Sequence, residues 1–560
     1  MNTGTGSGEQ RESGDKTGDE QIGFPAEVPS GGWRTIDSMQ LQSYESLDFP
    51  LAWRRVRTWA RSRLMDIPDR LPYEVLDRLA GDAGPALRPE HNVHRTILVV
   101  SSKKSGTIRP FVRVHPRDLI LYQALVDRLA ATIESALPPS DRVGAYRQTL
   151  DSSADDAFAG SPRNDEFKAG VASVIESSDS VYVLQADVSG YFLGIEPGRL
   201  RSQLWEITDQ PEAVSDLNEL LMTWQTLGVR GLPQGLRPSS PLANFYLSSL
   251  DRRLGELGVP FHRWVDDLWA ISGTYGEARQ IQDVIERHLY ALGLTLNGEK
   301  TRILRGGTAR ERLEPAKQRF EHRKQEAVDD AFEALEDVAY TDEVVLPDPD
   351  ELERDVVHSE FERQTAALAE TDLSKDFYAD MAQLFRELEA MDDPHGLDQI
   401  PSILRRAPEL TSSALRYVTA VADEDALGAA QVLRSIIAPE HAARDHERLI
   451  ACHRALSLPA NGHEELAEQL ARLAVDDPHE LTRAKALVAW GKHSDDGEFE
   501  AVDRFLEGTD PHWRAYAFVA MQLKEQSSRD ARYERWGGAG GALGALAKEL
   551  STSPIKWTKL

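Results

Sequence analysis

Adjacent carboxylates inside an apolar strand are the hardest feature of this sequence to accommodate. Within Phe261–Ser272 (FHRWVDDLWAIS), Asp266 and Asp267 are flanked by Trp264, Val265, Leu268 and Trp269. Uncompensated carboxylates in such surroundings are costly, because apolar neighbours cannot replace lost water. The run therefore reads as two short strands meeting at the acidic pair, which sits at the tip of a hairpin. Other adjacent aspartates occur at 155–156, 329–330, 392–393, 476–477 and 495–496. Those lie in polar or helical surroundings and read as solvated caps.

A second segment supplies a third acid. Val181–Val188 (VYVLQADV) is a continuous apolar strand that closes on Asp187. Carboxylates on rigid strands suit nucleotidyl transfer, which uses two divalent metal ions roughly 4 Å apart. Magnesium takes hard oxygen ligands and keeps some waters, so a few carboxylates suffice.

Bulk properties bound the rest. At 560 residues the chain is too long for one core, and 41% hydrophobic residues are enough to fill two or three. A single cysteine, Cys452, excludes an internal disulfide framework and a Cys-rich zinc site. No apolar run approaches the roughly 20 residues of a membrane span, and the N-terminus has no signal-peptide core. A cytoplasmic protein without membrane contact is expected. The net charge of −28 argues on its face against nucleic acid, which favours basic surfaces. The charge is unevenly placed, however. His91 to Arg117 contains Arg95, Lys103, Lys104, Arg109, Arg113 and Arg117 and no acid, while the surplus of acid lies in the N-terminal tail and after about residue 325.

Along the chain, residues 1–30 are rich in Gly, Ser, Thr, Glu and Asp and are expected to be a disordered acidic tail. Arg95–Val100 and Ile108–Val114 read as strands joined by the turn Ser102–Thr107, and residues 118–137 as a helix. Residues 215–227 and Glu277–Gly293 are helical, and residues 294–297 (LTLN) read as a strand. Beyond about residue 310 strand signals nearly vanish. Asp-Pro-His recurs at Asp393–His395, Asp477–His479 and Asp510–His512, with proline steps of 84 and 33 residues. Aspartate before proline suits a helix N-terminus. A stack of helix pairs is the natural reading, with an irregular bundle as the alternative.

The neighbours of the three aspartates resemble reverse transcriptases in order and spacing. Gln185–Phe192 (QADVSGYF) resembles the first palm motif, an aspartate followed five residues on by an aromatic. Gly231–Leu247 (GLPQGLRPSSPLANFYL) resembles the second, Arg263–Ser272 the aromatic-x-Asp-Asp box, and Gly293–Ile303 (GLTLNGEKTRI) the fourth with its lysine. Upstream, Lys103–Pro110 (KKSGTIRP) resembles the fingers hairpin that grips the incoming triphosphate. The resemblance covers about residues 90–305. Two departures stand out: Trp264 replaces the usual tyrosine, and Ser240-Pro241 stands where Pro-Leu is common.

What the resemblance implies can be written residue by residue. Asp187 and Asp266 would be direct metal ligands, with the Val188 carbonyl assisting and Asp267 completing the cluster. Two Mg2+ ions, with Mn2+ as an alternative, would be the cofactors. Lys103 or Lys104, with Arg109, would neutralise the β- and γ-phosphates. Gln234 and Gly235 would line the nucleotide and template pocket. Lys300 would be the acid for the leaving pyrophosphate. Phe192 would pack where a ribose 2′-hydroxyl sits, so that deoxynucleotides are selected. The bland readings are a solvated hairpin for the lysines, an exposed lysine at 300 and a plain core Phe192.

The implied fold class is α+β: a right-hand polymerase core of fingers and palm followed by an all-α HEAT-like helical-repeat domain. Its divisions are a tail (1–30), fingers region (31–150), palm (151–305), helical thumb-like connector (306–370) and helical repeats (371–560). A core fused to helical repeats looks most like the prokaryotic antiphage enzymes, the abortive-infection and unknown-group reverse transcriptases. That likeness implies DNA synthesis from dNTPs in phage defence, with template-independent or protein-primed synthesis in some members. RNA and DNA template and primer would be partners, with a non-coding RNA, a phage protein or a second copy of the chain as further ones. Two alternatives are a retron- or intron-like enzyme bound to its own RNA, and a catalytically silent RNA-binding scaffold.

Overall fold

Strands form where apolar runs alternate or persist, with one exception. β1 (Thr35–Gln40) pairs antiparallel with β2 (Glu90–His94), and β3 (Ile97–Ser102) with β4 (Ile108–Arg113). The last pair is the hairpin expected from Arg95–Val114, in register from Ile97 opposite Arg113 to Ser102 opposite Ile108. A four-stranded antiparallel sheet holds β5 (Tyr182–Asp187), β6 (Phe261–Trp264), β7 (Asp267–Ser272) and β8 (Arg302–Arg305) in the order β6-β7-β5-β8.

The exception is residues 294–297, read as a strand from their alternating apolar residues. They make only one bridge, Leu296 to Val188. Ser189 donates its N–H to Thr295 O at 2.9 Å and Asn297 donates to Asp187 O at 2.7 Å, so the segment lies along the end of β5. A turn then redirects the chain, with Thr301 N–H on Asn297 O at 2.9 Å, and the fourth strand falls on Arg302–Arg305. The predicted helix over 118–137 is also divided. It runs as Pro116–Arg128 and Ala130–Ala136, broken at Leu129.

This computed structural model describes residues 35–61, 69–80, 87–104, 106–175, 181–314, 318, 320–329, 349–370, 373, 376–460, 463–495, 499–507, 513–522, 524, 550 and 552–556. Residues 32–560 form one compact unit. The predicted disordered tail lies outside the described residues, as do most of residues 315–348 and the third Asp-Pro-His. Among the described residues no helix is long and apolar enough to cross a membrane.

From residue 349 on, every described element is helical. One row contains Phe377–Ala390, Thr411–Ala420, Asp445–Ala455, Glu480–His493 and Arg514–Ala520, each packed on the next. The other contains Ile400–Arg406, Ala426–Ile437, Glu464–Asp476 and Glu500–Glu507, packed in the same way. The first row's helices start at 377, 411, 445, 480 and 514, so each begins 34 or 35 residues after the one before it. The step is shorter than the roughly 40–47 residues of HEAT and armadillo units. The stack of helix pairs thus stands, and the HEAT label does not follow from its dimensions. The Asp-Pro-His copies missed this period because they occupy different places. Asp393 lies after a first-row helix and Asp477 before one, although each carboxylate accepts the N–H two residues on, at 3.0 and 2.8 Å.

Two cores result. One lies between the palm sheet and its helices, around Trp53, Tyr122, Trp224, Phe245 and Tyr246. The other fills the helical stack and takes in Ile97, Val99 and Phe111 from the β3–β4 hairpin. A buried polar junction reinforces the second. Arg113 Nη2 lies 3.2 Å from Asp69 Oδ2, Tyr516 donates its hydroxyl to Asp69 at 2.9 Å, and Lys485 Nζ is 3.6 Å from the same carboxylate. Asp69, Arg113 and Lys485 are each at most 2% exposed. One carboxylate therefore faces two buried cations, and its removal takes away the negative charge they share. Asp69→Ala is expected to cost about 3–5 kcal/mol. Thermal and urea denaturation of the full chain measure it, and a change within about 0.5 kcal/mol would contradict this reading.

Candidate active site

The central strand carries the first acid to the edge of the sheet. Asp187 closes β5 and lies directly opposite Asp267, the first residue of β7. Trp264 pairs with Asp267 across β6 and β7, so Val265 and Asp266 form a two-residue turn beside them. Three carboxylates are thereby placed together by strand register and a tight turn. Asp187 is 8% exposed and the other two are half-buried. Burial, then the charges of Asp267 and Asp187, pushes the Asp266 carboxyl up to about 6. Burial, followed by Asp187, also raises Asp267, although Lys300 and Lys168 oppose this.

Lys300 completes the group. The turn at Asn297–Thr301 brings its Nζ to 2.9 Å from Asp187 Oδ1. Partial burial works against its charge, but the bond to Asp187 and the surrounding carboxylates win and raise the ammonium pKa. The lysine side chain is 65% exposed, so the ion pair is of the weak, solvent-screened kind and the ammonium can leave it. The donor set fits a divalent cation: Asp187 and Asp267 face each other with Asp266 in the adjoining turn, neighbouring negative charge raises the Asp266 and Asp267 carboxyls, and the nearby Val188 is buried where β5 ends.

The turn is strained and held from behind. Val265 has φ of 57°, a position that favours glycine and is unusual for a β-branched residue. Arg263, fully buried, donates from Nη1 to Val265 O at 2.8 Å and to Asn244 Oδ1 at 2.8 Å. Its Nε donates to Asp251 Oδ1 at 2.8 Å, and Nη2 bonds Asp251 Oδ2 as well. Asn244 in turn donates to Ala145 O at 2.7 Å. One guanidinium thus ties the acidic turn to the helices Ser239–Tyr246 and Ser248–Glu256. Sequence reasoning assigned Arg263, Asp251 and Asn244 no role. The available signal was an arginine inside an apolar strand, which demands a buried partner.

Phe192 follows Tyr191 in a short helix just beyond Asp187, with the two rings 5.9 Å apart and edge-on. The loop bearing Gln234 and Gly235 closes on this backbone: Leu232 donates to Phe192 O at 2.8 Å. A Cβ on Gly231, at φ 66°, would sit 2.2 Å from Phe192 O, so the approach needs glycine. Gln234 O accepts the Val112 N–H at 2.9 Å, joining this loop to the base of the hairpin.

The structure brings Asp187, Val188, Asp266, Asp267 and Lys300 together, and sets Phe192, Gln234 and Gly235 in one connected backbone unit beside them. Lys103 and Arg109 stay on the hairpin, half-buried. Lys104 turns elsewhere: its ammonium lies over the Tyr378 ring of the helical stack, 4.9 Å from the centroid. A separate group, His94, His115 and Asp118, has ligand atoms within 4.8 Å of one another. Asp118 Oδ1 is already 2.9 Å from both His91 Nε2 and His94 Nδ1, Oδ2 accepts the His94 N–H, and His115 Nδ1 accepts the Arg117 N–H at 3.2 Å. These bonds stitch β2 to the helix Pro116–Arg128 and account for the cluster without an ion.

Residues 101–345 match the family model of reverse transcriptases (RNA-dependent DNA polymerase). No curated protein matches the chain. Among solved structures, telomerase from Candida albicans in complex with a fragment of telomeric RNA is 12% identical, over 57% of this chain and 53% of that chain, with a TM-score of 0.23. Apo telomerase from Candida tropicalis is 12% identical, over 74% of this chain and 71% of that chain, with a TM-score of 0.26. The match thus spans about half the length of the first, and the enzyme class rests on the family match alone.

The raised Asp266 pKa has a stability consequence. The folded state holds a proton that the unfolded state releases, so this group destabilises the fold increasingly as pH rises from about 4 towards 6 and stays unfavourable above that. Asp266→Asn, measured without divalent ions, is therefore expected to raise stability at pH 7.5 by on the order of 2 kcal/mol. The gain should fade as pH falls below about 5. Parallel melting curves at the two pH values check this, and equal shifts at both would refute the assignment.

Proposed function

Taking as premise a reverse-transcriptase domain, and hence an RNA-directed DNA polymerase and nucleotidyltransferase, we propose that the chain extends DNA from dNTPs at Asp187, Asp266 and Asp267. The observation that carries the proposal is the register of β5 on β7, which sets Asp187 opposite Asp267 with Asp266 in the adjoining turn. The three carboxylates and the Val188 carbonyl would hold divalent ions, Mg2+ or alternatively Mn2+. Bound there, such ions acidify the primer hydroxyl and take up charge on the triphosphate.

The chain's own groups do the rest. The primer 3′-hydroxyl gives up its proton to solvent, its oxygen bonds to the α-phosphorus while the bond to pyrophosphate breaks, and Lys300 supplies the proton that the leaving group takes and regains one from water. Its raised pKa keeps that proton in place beforehand, and its exposed, weak pair with Asp187 lets it move. Lys103 and Arg109 neutralise the β- and γ-phosphates, with Lys104 engaged on Tyr378. Gln234 and Gly235 line the nucleotide and template side. The Phe192 ring excludes a ribose 2′-hydroxyl, and its backbone bond to Leu232 limits how far it can retreat.

A role in phage defence in the cytoplasm is the finer reading. It is supported by the architecture: a polymerase core continued by a stack of helix pairs and an acidic net charge of −28 in place of a basic DNA-binding extension. A non-coding RNA, a phage protein or a second copy of the chain would be the partner of that stack, and template-independent or protein-primed synthesis belongs to the same reading.

Incorporation of labelled dNTPs on a primed RNA template is expected to fall at least about 100-fold in Asp266→Ala, in line with loss of a metal-holding carboxylate. Phe192→Ala is expected to keep DNA synthesis and to raise use of ribonucleotides at least about tenfold, as removal of a steric block worth 1–3 kcal/mol would. Undiminished incorporation in Asp266→Ala would move the site elsewhere. Absence of incorporation in the wild type, with RNA still bound, would favour a scaffold.

A further inference from the structure

The hairpin assigned to the triphosphate is held at its tip by the helical stack. Two-stranded hairpins are marginal on their own, and the palm touches this one at its base, through the Val112–Gln234 bond. Its turn is closed by Lys103 N–H on Thr107 O at 2.9 Å and by Gly106 N–H on Lys103 O at 2.8 Å. Further bonds to the tip come from residues more than 270 positions later in the chain.

Arg444 donates from its two terminal nitrogens to Gly106 O at 2.7 Å and Thr107 O at 3.2 Å. Tyr378 donates its hydroxyl to Lys104 O at 3.3 Å while its ring carries the Lys104 ammonium. Ser102 donates its hydroxyl to Glu447 Oε1 at 2.6 Å, in a buried contact. The other oxygen of Glu447 accepts the Arg444 N–H at 2.7 Å, so Arg444 and Glu447 act as one unit at the start of their helix. Three carbonyls of the turn, at 104, 106 and 107, are thus engaged by two side chains of the stack.

We propose that Arg444 and Tyr378, with Glu447 behind them, are positioning residues that fix the hairpin tip so that Lys103 and Arg109 meet the triphosphate without first being ordered. The proposal rests on the reading of this hairpin as the triphosphate grip. None of the three touches the nucleotide. Arg444 and Tyr378 bond backbone carbonyls and Glu447 the Ser102 hydroxyl, which leaves the Lys103 and Arg109 side chains for the ligand. Ordering a loop ahead of binding lowers the free energy that the ligand must supply. The signature is therefore weaker nucleotide binding with unchanged chemistry. A contact that merely adds stability would lower Tm and leave nucleotide affinity alone.

The full-length protein is assayed in two ways: KM for dNTP and kcat on a primed RNA template, and Kd for dNTP by calorimetry. Arg444→Ala is expected to raise KM and Kd five- to twentyfold, with kcat at saturating dNTP within twofold and template KM unchanged. Arg444→Lys should recover part of the loss. Tyr378→Phe, which removes only the hydroxyl and keeps the ring, should raise KM two- to fivefold and stands in if Arg444→Ala does not fold. A wild type that incorporates dNTP while the variants keep its KM and Kd overturns the positioning role and spares the polymerase reading. A wild type that binds dNTP without incorporating it, with weaker binding in Arg444→Ala, does the reverse. Absence of both binding and incorporation overturns the two together.

Discussion

Mutual repulsion among carboxylates at the end of a buried sheet governs how the rest of this core is arranged. Asp187 must end the central strand, because only there can it face Asp267 without lying between apolar layers. The turn must be short, because a longer one would carry Asp266 away from the pair. Val265 accepts an unfavourable φ to keep it so, and a fully buried arginine offsets the strain by fixing the carbonyl of that residue. Lys300 reaches the cluster because residues 294–297 bridge β5 only once and then turn. A fourth strand in that place would carry the lysine past Asp187. Each of these features makes local sense only as a way to keep three negative charges close to one another.

The hairpin belongs to both halves of the molecule. Ile97, Val99 and Phe111 pack in the core of the helical stack, while Val112 and Val114 lie in the core of the palm. Asp69 adds an electrostatic joint at its base, where a single carboxylate faces Arg113 of the hairpin and Lys485 of the stack. Polymerase core and helical stack are thus coupled through one small sheet whose two faces answer to different neighbours. A change in the stack would reach that sheet before it reached the carboxylates.

Much of the palm was legible because its motifs combine an apolar strand with residues that have no reason to be there. Asp187, Asp266 and Asp267 each interrupt or end such a run, and the structure places all three together. Residues 294–297 misled because their alternation suits a strand equally well, and only the Asn297 turn decides against it. Arg302–Arg305 escaped notice because two of its four residues are charged. Arg263 was visible as a charge in an apolar strand, but its partners Asp251 and Asn244 lie in helices, and sequence spacing does not report such contacts. The placement of Lys104 over Tyr378, more than 270 residues away, was equally out of reach of sequence spacing. The 34-residue step was hidden because helix starts in the stack share no residue type, only a burial pattern.

The hairpin and the stack run alongside each other in a fixed order. The tip meets Tyr378 on the first helix of one row and Arg444 just before the third, and nearer the base Leu98 O bonds His479, just before the fourth, at 3.0 Å. The base meets Tyr516 on the fifth, through Asp69. Two linear arrays of different pitch are therefore matched over their whole common length, as a vernier is to its scale. Insertion or loss of one helix pair between residues 377 and 520 would displace every later contact by a full unit. The helix pairs between residues 377 and 520 are tied in number to a hairpin of six-residue strands.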